Sequence, residues 1–481
     1  MKKLYIDYNP FFVRAAMTEN GELTEFGVER VARRSKVGNI YKGKVENVLA
    51  GMHAAFVNIG LPRNGFLYVG DGEGGQPVRK LSAGDIIMCQ VEKEAFNLKG
   101  ARLTTDVTLP GSYVVLMPRG GVHGVSRKIE DAELRASLEE LVASVCPEDM
   151  GFIVRSAANG AAEKDIIDEV EYLVSLWRRV ERDYAGAQAG SVVFREAHLV
   201  ERLVRDGYCD GADSVVVNDS ALADTLRSRL RRARVEAYDG VENIFRHFGL
   251  DAQIDKLSDR RVDMAGGAYL VIDRTEALTV IDVNTGRYVG VKDLEDTVFR
   301  TNMLAATEIA RQLRVRNISG MVIIDFIDMA DENHRAEVME TLCAELRKDK
   351  RKTTAVGMTG LGLVELTRKR TSLPADSFML EPCRGCSGGY VVSRTHLAIK
   401  LRDAMVDFTL AHRFESMIVR AHPDVCEEAF SSRVMARELA GVWRGRRVYL
   451  IPDAAMERHA HVIEGSNDKV LTLPAEAMLL C

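Results

Sequence analysis

Three apolar runs that each reach an aspartate constrain this chain more than any other feature. Tyr269-Leu270-Val271-Ile272-Asp273 and Leu278-Thr279-Val280-Ile281-Asp282-Val283, separated by Arg274-Thr275-Glu276-Ala277, read as a β-hairpin. The continuous run Met321-Val322-Ile323-Ile324-Asp325-Phe326-Ile327 reads as a strand buried on both faces. Between them Leu294, Val298, Ala305, Ile309 and Leu313 recur at helical spacing, and Val338, Leu342 and Leu346 mark a second amphipathic helix. Strand, helix, strand, helix predicts a layered α/β domain.

A carboxylate at the end of such a strand lies at a sheet edge facing a cleft, where α/β sheets bind ligands. Asp282 and Asp325 occupy those positions, and the turn Val283-Asn284-Thr285-Gly286 brings the Asn284 amide to the same side. Mg²⁺ takes one or two carboxylates, waters and substrate phosphate, which two Asp and an Asn suit. Strand-end Asp residues also cap turns and helices, and spacing alone leaves both readings open. Asp273 serves as a control: placed near the hairpin turn, it is expected about 15 Å or more from Asp282 at ~3.3 Å per residue. Two phosphate-loop lookalikes read as turns. Gly38-Asn39-Ile40-Tyr41-Lys42-Gly43-Lys44 is followed by Val45 instead of Ser or Thr, and the glycines at 70, 72, 74 and 75 lead to Pro77 instead of a helix.

The 481 residues allow about three domains. A hydrophobic share of 46% and a charged share of 28% exclude a disordered or fibrous chain. The net charge of -5 does not announce a nucleic-acid binder, so any phosphate-binding surface must be local, with candidate tracks at 227–234, 347–352 and 368–370. Eight scattered cysteines and no secretory leader (Asp7 and Asn9 interrupt the apolar stretch) predict a reducing, cytoplasmic setting. No run of ~18 apolar residues spans a membrane.

Residues 36–105 carry short strand-like runs with glycines at 38, 43, 51, 60, 65, 70 and 84, as in a small closed barrel of the OB class. Phe56 and Phe66 lie on two of its strands, with Lys93 and Lys99 on the returning strand and loop. Aromatic rings that stack bases and cations that meet phosphates are how such barrels hold single strands, although a barrel Phe is also ordinary core. Cys383-Arg384-Gly385-Cys386-Ser387-Gly388-Gly389 has the form of a zinc knuckle. One pair supplies half of a structural site, and a two-fold dimer would supply the rest. A redox dithiol is the rival, disfavoured because Gly388-Gly389 would break the helix it normally starts.

In order along nearly the whole chain, Asn39-Ile40-Tyr41-Lys42-Gly43-Lys44, Ala54-Ala55-Phe56-Val57, residues 267–284, Asp325-Phe326-Ile327-Asp328-Met329 and the Cys383/Cys386 knuckle resemble the ribonuclease E/G family. Gly100-Ala101-Arg102-Leu103-Thr104-Thr105-Asp106 and Asn284-Thr285-Gly286 look most like its G branch. The resemblance implies an α/β and all-β multidomain chain. An RNase H-like subdomain (1–35 and 201–257) would be interrupted by an OB-type RNA-binding barrel (36–105) and a 5′-sensor region (106–200). A DNase I-like catalytic domain (258–379), a zinc link (380–393) and a small α+β dimerisation domain (394–481) would follow. It further implies a Mg²⁺-dependent, single-strand-specific endoribonuclease of ribosomal RNA maturation and messenger RNA decay, leaving 5′-phosphate and 3′-hydroxyl ends. Asp282 and Asp325 would hold catalytic Mg²⁺ and Asn284 would orient the scissile phosphate. Phe56, Phe66, Lys93 and Lys99 would contact RNA. Arg155 and Ser156, with the backbone at Gly111 and Val115, would favour a 5′-monophosphate, Ser156 standing where the family pattern has Thr. Zn²⁺ shared through Cys383 and Cys386 would join a homodimer or a dimer of dimers. The competing expectation is a non-catalytic RNA-binding scaffold of the same architecture.

Overall fold

A computed structural model describes every residue except 10, 31–34, 70–80, 96–99, 210, 231, 276, 287–293, 360, 371–373, 387–388, 469–470 and 481. The chain divides into two compact units, residues 1–33 with 211–481, and residues 34–210. Among the described residues no helix is long and apolar enough to cross a membrane.

The first unit opens with a five-stranded sheet. Lys2–Asn9, Phe12–Glu19 and Glu22–Arg30 run antiparallel, and the chain returns at Ser214–Val217 and Arg234–Ala237 to add parallel strands beside Lys2–Asn9. Its first strand buries Asp7 opposite Arg14, whose Nη2 donates to the Asp7 carboxylate at 2.6 Å while Asn218 Nδ2 donates at 2.7 Å. Burial alone would raise the Asp7 carboxyl, but the charges of Arg14 and Arg402 outweigh it and hold the group below the usual range.

The second sheet of this unit runs Arg261–Asp263, Tyr269–Arg274, Leu278–Asn284, Gly320–Asp325, Leu363–Arg368, Thr353–Met358. Its one parallel pair, Leu278–Asn284 with Gly320–Asp325, requires a crossover, which the helix Leu294–Val315 supplies. Alternation decides which side chains face the helices. Leu270, Ile281, Val283, Val322 and Ile324 pack on Ala305, Ile309 and Leu313 of that helix and on Val338 and Leu342 of Glu332–Leu346. The apolar run at 321–327 is therefore not buried on both faces: Met321 is 51% exposed and Asp325 is exposed, because helices cover one face only. One proposed phosphate track also loses a member. Arg368 is buried, with Nε donating to Asp349 at 2.6 Å and Nη1 to Asn317 at 2.9 Å and to the Ile318 carbonyl at 3.0 Å. A small hairpin, Leu380–Pro382 with Tyr390–Val392, leads to a four-stranded sheet packed on the helices Arg394–Ala411 and Pro423–Ser431 around Trp443.

The second unit contains a closed, OB-like barrel of five strands: Ile40–Leu49, Ala54–Asn58, Gly65–Tyr68, Arg102–Thr104 and Ile86–Lys93, the last pairing back to the first. Gly43 belongs to this wall and not to a phosphate loop, since a Cβ there would meet Val57 Cγ1 at 2.5 Å. The interior holds Val45, Ala55, Val57, Leu67, Cys89, Val91 and Leu103. A second sheet, ordered His123–Val125, Gly151–Val154, Val114–Met117, Leu109–Pro110, packs on the helices Ala132–Ala143 and Glu163–Gly186 around Trp177.

Candidate active site

Asp282 and Asp325 are direct partners in the parallel register of their strands. That puts their Cα atoms about 4.8 Å apart. Alternation sends both to the face the helices leave open, where both are exposed. Asn284 lies two residues on and shares that face, its Nδ2 donating to Asp282 Oδ2 at 2.8 Å. Partial burial, then the negative charges of Asp282 and Asp328, push the Asp325 carboxyl up from its ordinary value. Like-charge crowding of this kind is what a bound cation relieves. No cluster of three or more His, Cys, Asp and Glu groups suited to a metal occurs among the described residues.

The loop after Asp325 is held from three sides. The fully buried Asn302 amide donates to the Ile327 carbonyl at 2.7 Å and accepts its N–H at 3.1 Å. Arg335 Nε donates to the Met329 carbonyl at 2.7 Å. Glu295 accepts N–H groups of Ala330 at 3.2 Å and Asp331 at 3.3 Å. The Asp331 N–H is the main reason the Glu295 carboxyl sits below its usual range, with His334 adding to it. None of these three contacts leaves a spacing signal, since each joins residues from different elements.

Asp273 requires a correction. Val271 pairs with Asp282 and Asp273 with Val280, so Asp273 is a diagonal same-face neighbour of Asp282 at about 7–8 Å, half the expected separation. The turn is short and the strands are in full register, so Asp282 lies only two rungs beyond Asp273. What sets Asp273 apart is its pairing: Arg260 donates to both of its carboxylate oxygens.

On the barrel, Phe56 and Phe66 face each other across neighbouring strands with ring centroids 6.1 Å apart, edge to face. Both are half-buried and lie outside the barrel core. The rung continues from Phe66 to Arg102 and from Arg102 to Lys93, so two rings and two cations span four strands. Arg102 also pairs with Glu92 at 2.8 Å. Tyr68, 56% exposed and two residues past Phe66, adds an aromatic to this face that the sequence reading passed over. Lys99 lies outside the described residues.

Arg155 follows the Gly151–Val154 strand and begins a short turn whose first residue is the exposed Ser156. Its Nη1 donates to the Gly111 carbonyl at 2.6 Å, and Nη1 and Nη2 both reach Asp206 Oδ1 at 3.1 Å. Its backbone N–H donates to the Tyr113 carbonyl at 2.7 Å. Val115 pairs with Ile153 on the adjacent strand, so Gly111, Val115, Arg155 and Ser156 form one neighbourhood. Asp206, 51 residues from Arg155, was not foreseen.

Cys383 and Cys386 occupy the turn between Leu380–Pro382 and Tyr390–Val392. The Gly385 N–H donates to Cys383 Sγ at 3.4 Å, and this contact, before those from Cys386, lowers the Cys383 thiol pKa. Gly389 is required by space, since a Cβ there would sit 2.4 Å from Cys386 Sγ. The pair is on a hairpin turn, unlike the helix start of a redox dithiol.

Residues 108–371 match the profile of the Ribonuclease E/G family. The chain is 37% identical over 468 residues to ribonuclease G of Salmonella typhimurium, covering 93% of this chain and 96% of that protein. It is 38% identical over 447 residues to ribonuclease G of Escherichia coli K12, covering 88% and 91%. Ribonuclease E of Nostoc sp. is 38% identical over 373 residues, covering 73% of this chain and 54% of that protein.

Proposed function

The chain belongs to the ribonuclease E/G family, and from that premise we propose that it is a Mg²⁺-dependent, single-strand-specific endoribonuclease resembling ribonuclease G. The observation that carries this reading is the rung shared by Asp282 and Asp325 with the Asn284 amide beside it. Two exposed carboxylates in register, with the Asp325 carboxyl raised by burial and then by the charges of Asp282 and Asp328, fit the oxygen-ligand preference of Mg²⁺. Mg²⁺ bound there would act as a Lewis acid on the phosphate and generate the attacking nucleophile from water. Asp282 and Asp325 are its proposed protein ligands. Asn284 orients the scissile phosphate, and the clamps from Asn302, Arg335 and Glu295 keep the loop after Asp325 in place. In-line attack by water leaves a 5′-phosphate and a 3′-hydroxyl.

In this reading the five-stranded sheet of the first unit is the RNase H-like part, the six-stranded sheet the DNase I-like catalytic domain, and the segment from 394 the dimerising domain. The row Phe56, Phe66, Arg102, Lys93 stacks bases and meets phosphates of single-stranded RNA, together with Lys99. Arg155 and Ser156 favour a 5′-monophosphate. One Zn²⁺ held by Cys383 and Cys386 of two chains makes the homodimer, which the lowered Cys383 thiol pKa suits because zinc binds thiolate. The setting is the cytoplasm, and the substrates are ribosomal precursors and messengers.

The test is cleavage of one fluorescent single-stranded RNA, carrying either a 5′-monophosphate or a 5′-hydroxyl, in Mg²⁺ or in EDTA. Cleavage in Mg²⁺ alone, faster on the monophosphate, is expected. RNA binding without cleavage in Mg²⁺ would replace the enzyme with a scaffold.

A further inference from the structure

The Ser112–Val114 backbone and the helix Glu163–Gly186 meet in a way that the proposed roles of Arg155 and Ser156 do not use. Three consecutive N–H groups converge on one carboxylate. Ser112 donates to Glu169 Oε1 at 2.6 Å, and Tyr113 and Val114 donate to Glu169 Oε2 at 2.7 and 3.0 Å. Successive backbone N–H groups pointing to one side form an anion-binding concavity, and here an internal side chain occupies it. The neighbouring glycine is what admits that carboxylate: a Cβ on Gly111 would lie 2.5 Å from Glu169 Cδ and Oε2. Arg155 holds the same loop through its carbonyls, Gly111 by Nη1 and Tyr113 by its backbone N–H. Glu169 sits between Ile166 and Val170, both buried in the core of this unit, so its backbone is fixed by packing.

We propose that Glu169 is a positioning residue for the 5′-end pocket, locking the 111–115 loop by its N–H groups so that the Gly111 carbonyl holds the Arg155 guanidinium in its phosphate-binding pose. The inference rests on the reading of Arg155 as the 5′-monophosphate contact. With the carboxylate removed, three amides lose their acceptor, the Gly111 carbonyl is free to turn, and Arg155 loses the partner nearest its Nη1.

The experiment measures kcat and KM for one single-stranded RNA with a 5′-monophosphate and with a 5′-hydroxyl. The proteins are wild type, Glu169→Ala, Glu169→Gln, Arg155→Gln and Arg155→Gln with Glu169→Ala. The readout is the monophosphate-to-hydroxyl ratio of kcat/KM. Glu169→Ala is expected to lower that ratio roughly tenfold, the effect of about one charge-assisted hydrogen bond, with most of the change in KM of the monophosphate substrate. Glu169→Gln keeps one oxygen able to accept two of the three N–H groups, so its loss should be smaller. The double variant should lose no more than Arg155→Gln alone. If Arg155→Gln collapses the ratio and Glu169→Ala leaves it intact, the positioning role is wrong and the pocket reading stands. Equal slowing of both substrates would reduce Glu169 to a support of the fold, and a raised ratio would mean that the freed amides bind phosphate themselves; either overturns the proposal. A wild-type ratio near one, or one indifferent to Arg155→Gln, removes the pocket reading and this inference with it. Should Glu169→Ala not fold, Glu169→Gln decides between the same outcomes.

Discussion

Truncating the barrel's aromatic pair separates RNA contact from packing. Phe56 and Phe66 are half-buried on the outer side of the wall, and neither belongs to the interior cluster. Phe66→Ala therefore forfeits one edge-to-face partner, about 0.5–1.5 kcal/mol, and leaves no cavity in the interior. A fold of ordinary stability, about 5–15 kcal/mol, survives that loss. If Phe66 stacks a base, RNA binding loses about 1–3 kcal/mol, a roughly five- to hundredfold rise in Kd. The rings touch, with centroids 6.1 Å apart. The double variant with Phe56→Ala should therefore lose less than the sum of the two single losses. The assay is fluorescence anisotropy of a short single-stranded RNA in EDTA, repeated across salt concentrations. Stacking involves no phosphate, so the salt slope should be unchanged in Phe66→Ala, whereas Lys93→Ala should flatten it by about 0.7. Wild-type affinity in a Phe66→Ala protein with an unchanged melting curve would refute the stacking role and leave the pair as surface packing.

Two further outcomes follow from buried or paired groups. Asp7 is held below the ordinary carboxylate value of 3.8, so its stabilising contribution is full above that value and lost as pH falls through and below it. Asp7→Asn should cost about 3–5 kcal/mol, because Arg14 is left buried without its charge partner. Urea unfolding as a function of pH should also show a flatter acid limb; an acid limb as steep as wild type would contradict the assignment. Cys383→Ala should lower zinc content and dimer content together, and sedimentation showing an intact, zinc-loaded dimer would rule out the shared site.

Period and strand-end chemistry made much of the layer that carries Asp282 and Asp325 legible. The apolar face at 294, 298, 305, 309 and 313 predicts the helix Leu294–Val315, and alternation with a terminal Asp places Asp282 and Asp325 at strand ends. Their shared rung was not readable, because register between parallel strands is set by the crossover packing and leaves no mark in either strand. The overestimated distance to Asp273 has a different source, the antiparallel hairpin, whose short turn pairs Asp273 with Val280 only two rungs from Asp282. The continuous run at 321–327 looked buried on both faces because Met321 and Ile323 are apolar, whereas exposure depends on which face the helices cover. Contacts such as Glu169 with Ser112 or Arg155 with Asp206 join positions more than 50 apart, and no local pattern announces them. Short strand-like runs punctuated by glycines made the barrel legible, though Gly65 lies within a strand of its wall, where a Cβ would meet Leu103 Cδ1 at 2.5 Å.

Whether the Asp282–Asp325 rung carries the chemistry is tested by the single-turnover cleavage rate of Asp282→Asn and of Asp325→Asn at saturating Mg²⁺, with RNA affinity measured on the same preparations. Each change removes one charge at nearly constant volume from an exposed position, so the fold and the barrel are left alone. Both variants are expected to bind RNA as wild type does and to cleave it at no detectable rate. Either variant cleaving at a near-wild-type rate would show that the Asp282–Asp325 rung is not where the chemistry occurs.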